Sequence, residues 1–386
     1  MPKTRNVLFL QSSSELYGSG KIILQVLRVY QKEGFNPIVV LTGPGAIQGY
    51  LEKENIPVYI QNLGILRRKY VNPQGLINRF NKNLKAYRFI SELHEKYQFE
   101  LVFSNTLAVI VGAYWAQKNQ LPHIWHIHEI LPGPAPLVKL LSKMLDKSTA
   151  KPIAVSHAVA DHWQGFLKKA QIEVIHNGIP YGEFLEFFPN AKKELGIPES
   201  SIAIGMIGRI NPGKGQLFFL EMARQLSLKY PETHFVLVGD PFPGYEPILV
   251  GMMEKIQQKS LEGKVSYLGF REDIPKVLAS LDIFVLPSIL PDSFPTVILE
   301  AMAAAKPILA TQTGGAVEMV AEGKTGFIIE PEDLETGVSQ LSKLIEQKDL
   351  RNQLGEAGRN RVLSEFSLEA FEERIKKHLW EHLEKN

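Results

Sequence analysis

Two carboxylates eight residues apart, Asp292 and Glu300, open the stretch DSFPTVILEAMAAAKPILAT. It follows the apolar run Asp282–Pro287, which reads as a buried strand. Pro295 cannot donate a backbone hydrogen bond but suits the first turn of a helix, so a helix is expected through Leu299, Glu300 and Met302. The first turn of such a helix presents unpaired N–H groups, and its dipole favours negative charge. A diphosphate would sit well against Thr296 and Val297. Asp292 lies before the helix and Glu300 roughly two turns inside it. The pair can therefore hold opposite ends of one ligand, Asp292 at a sugar and Glu300 at ribose hydroxyls. The plainer reading makes Asp292 an N-cap and Glu300 a surface residue.

A second candidate is IGMIGRINPGKGQ, Ile204 to Gln216. A strand ends at Gly208, a Gly/Pro loop follows, and a helix begins near Gln216. Arg209 and Lys214 are held at this loop, where fixed cations would stabilise the charge that develops on a leaving diphosphate. A solvated loop with two incidental cations is the competing reading. It is not a nucleotide-hydrolase P-loop, because Gly-x-x-x-x-Gly-Lys-[Ser/Thr] is not met; Ser19-Gly20-Lys21 fails the same test.

Two weaker candidates lie earlier. Glu15-Leu16-Tyr17-Gly18-Ser19-Gly20 joins the first strand to its helix, and Gly permits close backbone approach there; it also reads as an ordinary turn. Ile124-Trp125-His126-Ile127-His128-Glu129 ends another strand, and alternation puts His126 and His128 on one face. The bland reading is two hydrogen-bonded structural histidines, and two histidines on one face do not make a metal site without further ligands.

The elements that must position these residues alternate along 386 residues, a length suited to two domains. Asn6–Gln11, Pro37–Leu41, Val58–Gln61, Leu101–Ser104, His123–His126, Pro152–Val155 and Glu173–His176 read as strands. Tyr17–Glu33, Pro73–Lys96, Leu107–Lys118 and Leu137–Lys147 read as helices. The pattern restarts with strands at Ser201–Ile207, His234–Val238, Lys264–Leu268, Asp282–Pro287, Pro307–Ala310 and Gly326–Glu330. Buried strands alternating with helices predict parallel sheets covered on both faces, with ligands at the strands' carboxyl ends. The expected fold class is α/β, with two Rossmann-like doubly wound domains facing across a cleft. The linker is placed near Gly178, giving domains 1–177 and 178–367. The helical segment Leu368 to Lys385 is expected to pack back on the first domain.

Composition narrows the chemistry. Hydrophobic residues are 45% and charged residues 22% of the chain, as in a soluble globular protein. The net charge of +2 gives no argument for nucleic acid. With no cysteine, disulfides, zinc thiolates and cysteine nucleophiles are excluded. The apolar run Val7–Leu10 is too short for a signal peptide, and no stretch is long enough to span a membrane. A cytoplasmic protein is expected, with peripheral attachment to the inner face of the membrane left open.

No acidic residue lies between Glu54 and Glu92, while Arg67, Arg68, Lys69, Arg79, Lys82, Lys85 and Arg88 do. Leu76, Ile77, Phe80, Leu84 and Tyr87 share a helical face. The bland expectation is that this face docks on its domain and leaves a solvated basic side. The sharper one is a patch for anionic lipid or an acidic lipid-linked acceptor. The apolar loop from Ile130 to Leu137 would add to that surface.

These ordered motifs together resemble the retaining GT-B glycosyltransferases of family four. Asp292 to Glu300 resembles the family's E-x7-E motif, and Gly208-Arg209 with Lys214-Gly215 its arginine–lysine pair. His176-Asn177-Gly178-Ile179 resembles its P-N-G-I/V linker. Gly314-Gly315 before Glu318, then Gly323 and Thr325-Gly326-Phe327, resemble its G-G-x-x-E and G-x-T-G-x segments. Two departures stand out: Asp292 replaces the usual glutamate, shortening the reach by one methylene, and Pro295 replaces the usual glycine, removing one N–H.

The resemblance implies transfer of a hexose from a nucleotide-diphosphate sugar, first guess UDP-glucose, to a hydroxyl of a glycan or lipid-linked acceptor. It implies His128, Asp292, Arg209 and Lys214 as catalytic residues. Gly18, Gly20, Gly208, Arg271, Phe294, Thr296, Val297 and Glu300 join Arg209, Lys214 and Asp292 in binding the donor. No D-x-D motif, the usual carrier of a metal–diphosphate bridge in the other glycosyltransferase fold, is present. No metal or other cofactor is therefore expected. A sugar-nucleotide epimerase of similar fold and a binding module without turnover remain the alternatives.

Overall fold

The computed structural model describes residues 5–16, 18–66, 70, 72–131, 133–258 and 261–383. Tyr17, Arg67, Arg68, Lys69, Pro132 and Lys385, which figure in the sequence reading, lie outside the described residues. The chain divides into two compact units, Met1–Ile179 with Leu368–Asn386, and Pro180–Ser367.

The first unit is built on a seven-stranded sheet. Its strands are β1 (Arg5–Gln11), β2 (Phe35–Leu41), β3 (Val58–Ile60), β4 (Phe99–Asn105), β5 (His123–Ile127), β6 (Ile153–Ala154) and β7 (Glu173–Val174). Every pairing is parallel, in the order β3-β2-β1-β4-β5-β6-β7. Val7, Leu8, Phe9 and Leu10 are all buried because helices cover both faces, which is why β1 reads as a continuous apolar run. Phe9, Tyr30 and Phe103 lock the helix Gly18–Lys32 to the sheet, with Phe9 and Tyr30 edge-to-face at 5.0 Å. The helix Leu368–Leu383 belongs to this unit. Its Trp380 indole donates to Glu33 at 2.9 Å, and its His378 ring meets the Lys151 carbonyl at 2.9 Å.

The second unit carries β8 (Ile202–Ile207), β9 (Thr233–Val238), β10 (Val265–Tyr267), β11 (Ile283–Leu286), β12 (Ile308–Thr311) and β13 (Gly326–Ile329). They pair in parallel in the order β10-β9-β8-β11-β12-β13. Its core joins Ile204, Met206, Phe219, Phe235, Val285 and Leu309. In each sheet the strand order reverses once, between β1 and β4 and between β8 and β11, and crevices for ligands form at such points.

All of these strands fall on the runs expected to be strands, with ends moved by a few residues. Two helical expectations need correction. The helix expected from Leu107 opens at Ile110, because Thr106 adopts φ 108 and the Leu107 N–H is taken by the Glu129 carboxylate. The helix Pro73–Tyr97 forms, capped by the Asn72 side chain, but of its expected docking face only Tyr87 packs on the core. The face that docks is Gly75, Arg79, Ala86, Ile90 and Leu93, the last three in the core with Phe99 and Trp115. Leu76, Ile77, Phe80 and Leu84 are exposed. Arg79, expected in the solvated basic patch, is buried with its guanidinium 4.0 Å above the Tyr70 ring. Sequence periodicity ranks faces by apolarity, whereas docking here also needs small residues: a Cβ at Gly75 would overlap the Tyr70 backbone.

Candidate functional site

In the second unit the two strongest sequence candidates meet at the reversal of strand order. The loop Gly208–Gly215 leaves β8, and the segment Pro287–Pro295 leaves its neighbour β11. The Gly213 carbonyl accepts the N–H groups of Ile289 (2.8 Å) and Leu290 (3.2 Å), tying one loop to the other. Gly215 has φ 76, and a Cβ there would overlap the Pro287 carbonyl, so the loop can close against its neighbour only at glycine. The result is an ion pair between Lys214 and Asp292 whose side chains are 22% and 23% exposed, reachable by a ligand yet held in place. Asp292 is thus not the N-cap of the following helix; that position is Pro295.

Arg209 stands at the start of the same loop, with its guanidinium 5.2 Å from the Phe242 ring centre. The helix Thr296–Ala303 follows, with Thr296 and Val297 partly exposed on its first turn. Glu300 is 4% exposed, which removes the surface reading of that residue. The first turn offers N–H groups and the positive end of a helix dipole, and Arg209 and Lys214 add two cations from one loop of the same unit. This is a chemistry for anionic, phosphate-bearing ligands.

Gly314 and Gly315 hold Asp292 from beneath. The Gly315 N–H donates to the Asp292 carbonyl at 2.9 Å, and a Cβ on Gly314 (φ 53) would overlap that same carbonyl. A Cβ on Gly208 would meet Lys214 Cδ at 3.9 Å, an ordinary van der Waals contact. Phe294 is 6% exposed, with its ring 6.0 Å from Phe366. Arg271 follows β10, beyond β9 from the loop, and its guanidinium forks onto Asp273 at 2.6 and 2.8 Å.

Two positioning residues escaped the sequence reading. Asn211 accepts the Gly213 N–H at 2.8 Å, a side-chain turn that shapes the loop; an Asn two residues ahead of Gly was the available signal. Gln216, buried at the helix start, donates to the Arg209 carbonyl at 3.0 Å, and nothing in its sequence context marks it.

In the first unit, the reversal between β1 and β4 gathers Gln11, Asn105 and the loop before the helix Gly18–Lys32. Asn105 Nδ2 donates to Gln11 Oε1 at 2.7 Å and to the Ser19 carbonyl at 3.3 Å. That assigns Asn105 Oδ1 as the acceptor facing His128 Nε2 at 2.8 Å, so Nε2 carries the proton and Nδ1 is the acceptor side of the ring. Asn105, a polar end to an apolar strand, was also missed. Gly20 is required by its own loop, since a Cβ would overlap the Glu15 carbonyl, whereas Gly18 has nothing within 4 Å. His126 lies beside His128, ring centres 4.3 Å apart, but is fully buried, and neither ring nitrogen has a hydrogen-bond partner among the described residues. The Glu129 carboxylate accepts the N–H groups of Leu107 and His128.

Burial sets the protonation here. It pushes the imidazoles of His123, His128 and His378 down to about 3, and that of His126 well below its ordinary value with help from neighbouring histidines. Burial raises the Glu129 carboxyl to about 7 against its own backbone hydrogen bonds. A histidine depressed in the folded state stabilises fully above pH 6.5 and loses that contribution as pH falls, because only the unfolded chain takes up the proton. By pH 5 each of the four costs about 2 kcal/mol. Glu129 acts oppositely: between about pH 7 and 4.5 the folded state binds its proton first, offsetting about one histidine. The first unit is therefore expected to lose stability steeply below pH 6.5. Thermal unfolding from pH 8 to pH 5 checks this, and a flat midpoint over that range would contradict it.

Comparison with known proteins agrees with this geometry. The model of Glycosyltransferase Family 4 matches residues 17–182, and that of Glycosyl transferases group 1 matches residues 187–361. An Escherichia coli UDP-Gal:alpha-D-GlcNAc-diphosphoundecaprenol alpha-1,3-galactosyltransferase is 24% identical over 383 residues, 94% of this chain and 93% of that protein. A Salmonella typhimurium lipopolysaccharide 1,2-N-acetylglucosaminetransferase is 28% identical over 243 residues, 60% of this chain and 63% of that protein. The crystal structure of Anabaena HepE in complex with UDP-glucose superposes with a TM-score of 0.83 at 24% identity, covering 97% of this chain and 99% of that one, which speaks to the fold. Two parallel doubly wound units, the paired loops after β8 and β11, and family models that between them span both units lead to one assignment: the chain belongs to the family-four glycosyltransferases, of GT-B fold.

Proposed function

We propose that this glycosyltransferase moves a hexose, with UDP-glucose as the first donor to test, to a hydroxyl of a glycan or lipid-linked acceptor, with retention at the anomeric carbon. The observation that carries the reading is the Lys214–Asp292 pair where β8 and β11 end, with Arg209 on the same loop and Glu300 buried two turns along the next helix. The diphosphate lies against Thr296 and Val297 at the helix start, Asp292 meets the sugar, and Glu300 takes the ribose hydroxyls. The bond from the anomeric carbon to the diphosphate oxygen breaks, and the acceptor oxygen forms the new bond. The acceptor proton passes to the departing phosphate oxygen, whose charge Arg209 and Lys214 stabilise. The E. coli relative's name specifies a UDP-sugar donor and a diphosphoundecaprenol-linked acceptor, which supports a lipid-linked acceptor.

A thermal-shift screen of sugar nucleotides tests the donor. UDP-glucose is expected to raise the unfolding midpoint of the wild type but not of Arg209→Ala. A larger shift with another sugar nucleotide would reassign the donor. We also propose that no metal is required, because the two fixed cations do the work of a metal–diphosphate bridge. Sugar transfer should then survive EDTA nearly intact, and complete loss restored by Mg²⁺ or Mn²⁺ would overturn this.

A further inference from the structure

The helix Pro73–Tyr97 is divided between two environments. Its C-terminal half docks through Ala86, Ile90 and Leu93 on the core of the first unit. Its N-terminal half turns Leu76, Ile77, Phe80 and Leu84 to solvent, 50%, 63%, 68% and 42% exposed. At 3.6 residues per turn these four fall on one arc roughly 100° wide. Lys85 and Arg88 occupy the adjoining arc, and the sequence holds no acidic residue from Asn55 to Ser91. Beside the stripe, Tyr87 meets the half-exposed Tyr114 ring at 5.8 Å, an amphipathic pair suited to an interface. Four large apolar side chains together in water are costly unless something covers them.

We propose that this face is a docking surface for an anionic lipid leaflet, with Leu76, Ile77, Phe80 and Leu84 entering the acyl boundary and Lys85 and Arg88 at the headgroups. The helix would then lie flat on the membrane, its polar flank in the headgroup layer. Charge selects this occupant. A second copy seated on the same face by two-fold symmetry would oppose the same cations, whereas an anionic leaflet complements them. Arg79 takes no part, being buried under Tyr70. The surface gives a lipid-linked acceptor its location and rests on that reading only for its purpose. Vesicle binding needs neither donor nor acceptor, so either proposal can fail alone.

Sedimentation with phosphatidylglycerol/phosphatidylcholine vesicles and with phosphatidylcholine alone tests it. The full chain is expected to partition onto the anionic vesicles, less so as salt rises. The double variant Ile77→Ser, Phe80→Ser should lower partitioning by at least roughly tenfold, from the apolar area withheld. The charge variant Lys85→Gln, Arg88→Gln should lower it by roughly 25-fold, about fivefold per cation, and weaken the salt dependence. Phe80→Trp should show a blue-shifted emission on binding, quenched by brominated acyl chains. All these positions are at least partly exposed, so folding is expected to be retained, with circular dichroism as the check. Failure of the wild type to bind anionic vesicles at low salt would overturn the proposal. So would unchanged binding of the double variant, emission that brominated chains leave untouched, or a wild-type dimer that the double variant turns into a monomer.

Discussion

Replacing Lys214 with alanine is expected to lower kcat/KM for the sugar-nucleotide donor by roughly a hundredfold, and Arg209→Ala by at least roughly tenfold. A charge-assisted hydrogen bond is worth about 1.5–3 kcal/mol, and one aimed at charge that grows in the transition state sits at or above the top of that range. The fold should survive. The loop is held by main-chain bonds from Ile289 and Leu290 to Gly213 and by Asn211, none of which needs the lysine side chain. A partly exposed ion pair contributes only about 0–1 kcal/mol to stability. The alternative is that Lys214 merely holds Asp292. In that case Lys214→Ala would cost nothing further in an Asp292→Asn background, because the pair is already gone. If Lys214 meets the diphosphate, the loss persists there. Steady-state kinetics on the four proteins of this cycle decide between the two, and unchanged kcat/KM in a folded Lys214→Ala or Arg209→Ala protein would remove the diphosphate clamp altogether.

Gly314→Ala should be comparably damaging although Gly314 carries no functional group. Its φ of 53 is poorly tolerated by alanine, and the added Cβ would overlap the Asp292 carbonyl and crowd its backbone nitrogen. Relief requires the Asp292–Ser293 segment to move, and a misplacement of about 1 Å near reacting groups can cost roughly a hundredfold in rate. The expected result is a fall in kcat/KM of that order. The thermal midpoint should fall only a few degrees, as expected at about 2–4 °C per kcal/mol for a unit of this size. Gly323→Ala is the control: it too has positive φ, at 67, but nothing lies near its Cβ. Equal kinetic effects from both would show that backbone strain, and not displacement of Asp292, is responsible.

What could be read directly was whatever depends on local pattern. β1, β8 and β11 announce themselves as short apolar runs because both faces of a parallel sheet are covered. Asp292, Pro295 and Glu300 announce a strand-to-helix turn because Pro tolerates only a few backbone positions. The Gly208–Gly215 loop is marked by its glycines and proline. What failed depended on partners outside the local pattern. The apolar stripe of the helix Pro73–Tyr97 was expected to dock, yet the helix buries Gly75 and Arg79 instead, because close approach to Tyr70 selects a small residue and a cation over a ring. Asn105 went unnoticed because its three hydrogen bonds reach residues distant in sequence, and Gln216 because its bond goes to a carbonyl hidden in a loop.

The amino-acid sequence by itself determined two α/β units of parallel strands, the candidate residues for a phosphate-bearing ligand, and the family to which their order belongs. These follow from periodicity, from glycine and proline positions, and from charge, all of which act over a few residues. Only the tertiary structure decided that β8 and β11 are neighbours, and so that Lys214 pairs with Asp292, 78 positions along the chain. It alone decided that Gly314 supports Asp292 from a third loop, that Glu300 is buried, and that four large apolar side chains of one helix face water. Those outcomes depend on which surfaces meet, and a pattern along one segment carries no information about the shape of the segment it will pack against.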